Sequence, residues 1–124
     1  MNTAHTFVER YLAAWTSNSP EDIARAFTDD VVYRGFPADP DPAIGLEQLV
    51  AKWTSWADEP GTWSFDYTVF LEDDQGAVIQ AVTTYPAGEK SGVYDNVWLL
   101  RFGPDGRVSE FTDYWVQRPK PKSA

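Results

Sequence analysis

Between Thr3 and Ser17 apolar residues recur at Phe7, Val8, Tyr11, Leu12 and Trp15, with Glu9, Arg10 and Ala13 off the stripe. That 3.6-residue period predicts an amphipathic helix over Thr3–Ser17. Asn18 and Ser19 break it, and Ser19-Pro20-Glu21-Asp22 reads as an N-cap, a proline at the first helical position and acids in the first turn. A second, short helix is expected through Ile23 and Phe27, stopping near Thr28-Asp29-Asp30. The β-branched and aromatic run at 31–36 predicts a strand, ended by a proline-rich loop at 37–42. After Gly45, the residues Leu46, Leu49, Val50, Trp53 and Trp56 return to helical spacing until Asp58-Glu59-Pro60-Gly61 terminates the helix.

From there the period changes to two. Trp63, Phe65, Tyr67, Val69 and Leu71 share one face of a strand. Turns at 72–76, 86–90 and 103–106 separate it from strands at 77–85, 93–102 and 107–117, as in an antiparallel meander. The Pro/Lys-rich tail, 118–124, is expected to fray. Helices first and then a long antiparallel sheet is an α+β pattern, in one domain spanning 1–124.

Composition narrows the classes. A chain of 124 residues, 43% hydrophobic, has room for one core and not for two full domains. Without cysteine there is no disulfide framework, thiolate nucleophile or Cys-based zinc site. Nineteen acids against ten bases, a net charge of -9, leave no basic stripe for phosphates, so no nucleic-acid partner is expected. Residues 1–10 show no basic segment leading into an apolar run, and no stretch approaches the ~20 apolar residues of a membrane span. A cytoplasmic location is the expectation. Six Trp, six Tyr and seven Phe exceed what a small core needs for packing.

Strand phase divides that aromatic excess. Phe111, Asp113 and Trp115 share one face of the last strand, and Tyr94, Asn96, Trp98, Leu100 and Phe102 one face of the strand before it. If both rows look into the same interior, a carboxylate and a carboxamide stand in an aromatic cavity. Gln80 and Thr84, with Val78 and Val82, give the preceding strand a similar mixed row. A carboxylate on an apolar face is desolvated, which raises its pKa and makes it a better proton acceptor. The alternative for Asp113 is a structural acid that only accepts hydrogen bonds. Tyr11 reads either as packing or as a phenol donor to a carbonyl or a developing oxyanion. His5, the sole histidine, falls in a first turn expected to fray, so neither a His-based triad nor a metal centre is expected. Asp29-Asp30 and Asp73-Asp74 read as solvated turn residues, and no glycine-rich phosphate loop occurs. The candidate catalytic residues are Asp113, Tyr11 and Asn96. Trp15, Tyr33, Trp53, Trp56, Gln80, Trp98, Phe111 and Trp115 are the candidate substrate-binding residues.

Three segments carry a family resemblance: Val8-Glu9-Arg10-Tyr11-Leu12-Ala13-Ala14-Trp15, the run from Ala26 to Tyr33, and Asp105-Gly106-Arg107-Val108 with Glu110 to Trp115. Together they resemble the SnoaL-like branch of the nuclear transport factor 2-like superfamily over nearly the whole chain. The resemblance implies a cone, in which a strongly curved antiparallel sheet wraps a long N-terminal helix, a cystatin-like α+β barrel with a pocket at its wide end. Tyr11 is similar in position to the oxyanion-binding tyrosine of ketosteroid isomerases, whose base would fall at Gly35 or Phe36 and whose second acid near Trp98. Asp113 resembles the water-activating aspartate of limonene-type epoxide hydrolases and the acid/base aspartate of SnoaL-type cyclases. The hydrolases' arginine and second aspartate are absent from 77–85, and the cyclases' partner histidine is absent too.

Two functional classes follow. One is a cofactor-free enzyme for a small, mostly apolar, ring-containing or polyketide-like molecule, of isomerase, cyclase, dehydratase or hydrolase type, with Asp113 as general acid/base. The other is a noncatalytic hydrophobic-ligand-binding or dimerisation module. In both, a homodimer is expected, because Val97, Leu99, Tyr114 and Val116 make the opposite faces of the last strands apolar as well.

Overall fold

The computed structural model describes residues 2–119. Helix α1 runs over Thr3–Ser17, α2 over Pro20–Ala26 and α3 over Leu46–Trp56. The strands are β1 (Phe27–Arg34), β2 (Ala43–Ile44), β3 (Ser64–Glu72), β4 (Gly76–Tyr85), β5 (Gly92–Phe102) and β6 (Val108–Gln117). They form one curved, unclosed sheet in the order β2-β1-β6-β5-β4-β3.

Helix α1 has the expected bounds and buries Ala4, Phe7, Val8, Tyr11 and Ala14. Its first turn is held rather than frayed. Glu72 accepts from the Ala4 N–H at 3.0 Å, and the His5 ring bonds to the Tyr67 hydroxyl and meets Glu9 at 2.9 Å. Asn18 ends the helix in the left-handed region at φ 54, with its N–H on the Ala14 carbonyl. In α2 the Ser19 hydroxyl accepts from the Asp22 N–H at 3.2 Å. Ser19→Ala is expected to cost about 1 kcal/mol of unfolding free energy, readable as a lower urea midpoint at constant slope.

Several expectations are corrected. Phe27 belongs to β1, not to α2, because its side chain is needed in the core, where it is fully buried. The Asp29-Asp30 pair is solvated as expected but lies in a strand, at a register irregularity between Phe27 and Val32. Residues 43–44, between the loop at 37–42 and the helix and assigned to neither, add a short edge strand. The sheet is mixed rather than antiparallel: β1 runs parallel to β6, with Tyr33 opposite Phe111. It is also not a closed barrel, since β2 and β3 are left as edges. Trp63 precedes β3 and stacks on Trp15 at 3.7 Å between ring centroids. A bulge between Val69 and Leu71 turns Leu71 out of the row assigned to it. Of the tail, Arg118 is anchored to Asp95 by two 2.8 Å contacts, and 120–124 lie outside the described residues.

Cross-strand register sets the two faces. Tyr67, Ala81, Asn96 and Trp115 stand opposite one another on the helix-facing side, and so do Val69, Ile79, Trp98 and Asp113. The outer face carries Thr68, Gln80, Val97 and Tyr114 in one line. On that face Leu99, Tyr114 and Val116 are exposed. The core lies between α1 and the inner rows, where Phe7, Phe27, Trp98 and Phe111 surround Tyr11 at ring centroid distances of 4.5 to 6.2 Å. No helix among the described residues is long and apolar enough to cross a membrane.

Candidate active site

A cavity of about 460 Å³ opens between the inner face of β4–β6 and helices α1 and α3. Tyr11 and Trp15 reach it from α1, Trp53 and Trp56 from α3, and Tyr33 from β1. The sheet contributes Thr83, Tyr94, Asn96, Trp98, Asp113 and Trp115, and the flanking loops Asp58 and Lys90. All three candidate catalytic residues therefore meet in one space, with six of the eight candidate binding residues.

The other two lie elsewhere. Gln80 is exposed on the outer face, opposite Val97, because β4 turns Ala77, Ile79, Ala81 and Thr83 inward instead. Phe111 is fully buried behind the cavity, stacked on Tyr33 at 4.5 Å and on Tyr11 at 5.6 Å, so it backs the wall without lining it.

Asp113 is held by its neighbours on the sheet. The Asn96 amide donates to both carboxylate oxygens, at 3.1 and 3.3 Å, and its own oxygen accepts from the Thr83 hydroxyl at 2.8 Å. Asn96 and Thr83 thus orient the acid. Burial pushes the Asp113 carboxyl up to about 6, against the Asn96 amide and the Trp98 indole, which favour the charged form. No cation among the described residues pairs with it. Near neutral pH it is therefore an ionised base that reprotonates easily.

The Tyr11 and Tyr33 hydroxyls lie 3.0 Å apart. Burial, first of all, raises both phenols, and the Asp113 charge adds to it, so both stay protonated. One donates to the other, which leaves one hydroxyl hydrogen for a third acceptor.

A second acid sits at the mouth of the cavity. Asp58 accepts from Trp15 Nε1 and the Tyr85 hydroxyl, each at 3.0 Å, and from Lys90 at 2.8 Å. Burial raises its carboxyl, but these three donors outweigh it and hold the group below its ordinary value. Asn18 fixes the loop by donating to the Asp58 carbonyl at 2.9 Å while accepting from Trp53 Nε1 at 2.9 Å. The two acids are thus pushed apart, Asp58 permanently charged and neutralised by Lys90, Asp113 poised to exchange a proton. Asp58, Lys90 and Asn18 carried only turn or helix-end signals in the sequence. Thr83 was legible in principle, since a tight 86–90 hairpin pairs it with Tyr94 and turns it to the Asn96 side.

No cluster of three or more His, Asp or Glu side chains among the described residues is placed to hold a metal ion. A helix-filled, curved mixed sheet whose inner face carries an aromatic cavity is the α+β cone architecture of nuclear transport factor 2-like proteins. Residues 8–111 match the SnoaL-like domain, and the chain belongs to that family. No curated protein matches the sequence. Among solved structures, the chain is similar to an NTF-2 like protein of unknown function from Burkholderia xenovorans LB400 (TM-score 0.71, 13% identity, 98% of this chain and 88% of that one). It is also similar to a ketosteroid isomerase-like protein from Erwinia carotovora atroseptica SCRI1043 (TM-score 0.63, 19% identity, 90% and 92%). A third is an LEH-like epoxide hydrolase from M. tuberculosis (TM-score 0.66, 17% identity, 93% and 84%). At these identities the likeness is one of fold.

Proposed function

We propose that the cavity is a cofactor-free proton-transfer site for a small, mostly apolar, ring-containing molecule, with Asp113 as the general base and acid. The observation that carries this reading is a mostly enclosed carboxylate, unpaired by any described cation, fixed by Asn96 in a cavity walled by Trp and Tyr. Ionising such a group costs stability, and a purely structural acid gains nothing from that cost. In the proposed step the Asp113 carboxylate takes a proton from a carbon next to a carbonyl, the C–H electron pair becomes the carbon–carbon π bond, and the carbonyl π pair moves onto the oxygen. A Tyr11 or Tyr33 hydroxyl hydrogen binds the resulting enolate, and protonated Asp113 returns the proton to carbon. That step underlies isomerisation, aldol cyclisation and dehydration alike.

The test is hydrogen–deuterium exchange into a panel of cyclic ketones in D₂O, followed by proton NMR. Exchange above buffer background is expected, rising with pH through about 6 as Asp113 ionises and flat above. In Asp113→Asn it is expected to fall by roughly 10² to 10⁴, the usual worth of a positioned base. Undiminished exchange in that variant contradicts the assignment. Ligand retention without exchange in the wild type would make the domain a binding module.

A further inference from the structure

The wall of the cavity is one-sided in composition. Trp and Tyr supply nine of its seventeen lining residues, and among the described residues Val, Leu, Ile, Met and Phe supply none. Ala57 is the one aliphatic side chain there. A wall that only buries hydrocarbon gains as much per unit area from leucine or isoleucine as from tryptophan. What an aromatic ring adds is a negative face, which attracts positive charge. The polar hydrogens of these rings are largely committed to the protein. Trp15 Nε1 and the Tyr85 hydroxyl donate to Asp58, Trp53 Nε1 to Asn18 and the Tyr94 hydroxyl to the Lys90 carbonyl. Their π surfaces are left for a ligand.

The charges point the same way. Lys90 is the one cation lining the cavity among the described residues, and Asp58 neutralises it at 2.8 Å. Asp113 stays uncompensated, because Asn96 donates to both its oxygens but no described cation pairs with it. An enclosed carboxylate without a counter-ion is costly, and a bound cation removes that cost. The net charge of the whole chain, -9, draws cations toward it. Trp56 and Trp115 line the cavity and remain exposed, so rings of the same kind also meet solvent.

We infer that the cavity binds an organic cation, a tertiary or quaternary ammonium carried on an apolar ring, with its charge facing the Asp113 carboxylate among the Trp and Tyr rings. This names the ligand class of the same cavity, so it rests on reading the cavity as a ligand site, but not on Asp113 being the base. A positive charge beside a reacting carbon also favours its deprotonation, because it offsets the negative charge that develops there. A neutral molecule of the same shape is bound less tightly, since it leaves Asp113 without a counter-ion.

The probes are phenyltrimethylammonium and tert-butylbenzene, which share one shape and differ in charge. Binding is followed by tryptophan fluorescence at physiological salt, where distant surface charge is screened. At pH 8 the cation is expected to bind roughly tenfold more tightly than the hydrocarbon. At pH 5, where the Asp113 carboxyl is protonated, the cation is expected to weaken several-fold. Burial raises the Tyr11, Tyr33 and Tyr85 phenols, and Asp58, though raised by burial, is held low by its three donors, so none of these titrates in that interval. Asp113→Asn is expected to bind the cation several-fold less tightly than wild type at pH 8 and to show no such pH dependence. If Asp113→Asn fails to fold, the two wild-type measurements decide alone. Equal or weaker binding of the cation by wild type at pH 8 overturns the inference, as does failure of both probes to bind. Cation binding that is unchanged by pH and by Asp113→Asn overturns it too, because the cation is then held elsewhere on the acidic surface. Cation preference with ketone exchange undiminished in Asp113→Asn would leave this inference standing and remove the proposed base. Exchange lost in that variant without any cation preference would do the reverse.

Discussion

Asp113→Asn is expected to be more stable than the wild type at pH 7.5 while losing proton transfer. The unfolded chain releases this proton near 3.8, whereas the folded protein holds it up to about 6. Between those values the folded state binds more protons, so wild-type stability falls as pH rises through the window and is flat for this group above it. The full difference corresponds to about 3 kcal/mol. Asparagine keeps an oxygen that can accept from Asn96, and its neutral amide avoids the charge penalty, so a gain of about 1–3 kcal/mol is expected at pH 7.5. At pH 4 the two proteins should be nearly equal. Urea titrations at both pH values check this, and a less stable variant at pH 7.5 would mean that the charge holds the fold together. A residue whose removal improves the fold and abolishes the chemistry is retained for the chemistry.

The second large effect is structural. Phe111→Ala is expected to cost about 3–5 kcal/mol, a large share of the roughly 5–15 kcal/mol of an ordinary domain. Phe111 is fully buried, stacked nearly parallel to Tyr33 at 2° and to Tyr11 at 9°, and packed with Phe7, Phe27 and Trp98. Removing it opens a void directly behind both phenols, so the tyrosines lose their backing together with the core. Equilibrium denaturation is the readout. A loss under about 1 kcal/mol would mean that the wall collapses to fill the void and that the phenols are not rigidly placed.

The inward placement of Asp113 was legible because it depends on strand phase. The β5–β6 pairing is regular from Tyr94 opposite Gln117 to Arg101 opposite Glu110, so alternate residues keep their faces and Asp113 falls inward with Asn96 and Trp98. Phase failed where both faces of a strand look alike. In β4 the row Val78, Gln80, Val82 and Thr84 carries two large apolar side chains and the row Ala77, Ile79, Ala81 and Thr83 only one, so size and polarity point to opposite faces and pairing with β5 decides which is inside. Phase also fails at bulges, which is why Leu71 was placed on the wrong face and why Asp29-Asp30 read as a turn. The parallel contact of β1 with β6 joins residues about eighty positions apart and leaves no local trace. Asp58 and Lys90 reach the cavity from loops, where no periodicity operates, and their partnership at 2.8 Å exists only once α3 and the β4–β5 hairpin are side by side.

The cavity with one poised acid can be tested without knowing the substrate. The side-chain carboxyl carbon of Asp113, followed by ¹³C NMR across a pH titration of the folded protein, should titrate with a midpoint at about 6. A midpoint at or below the ordinary value of 3.8 would show a well-solvated or well-paired carboxylate, and would contradict the account of Asp113 as a desolvated base.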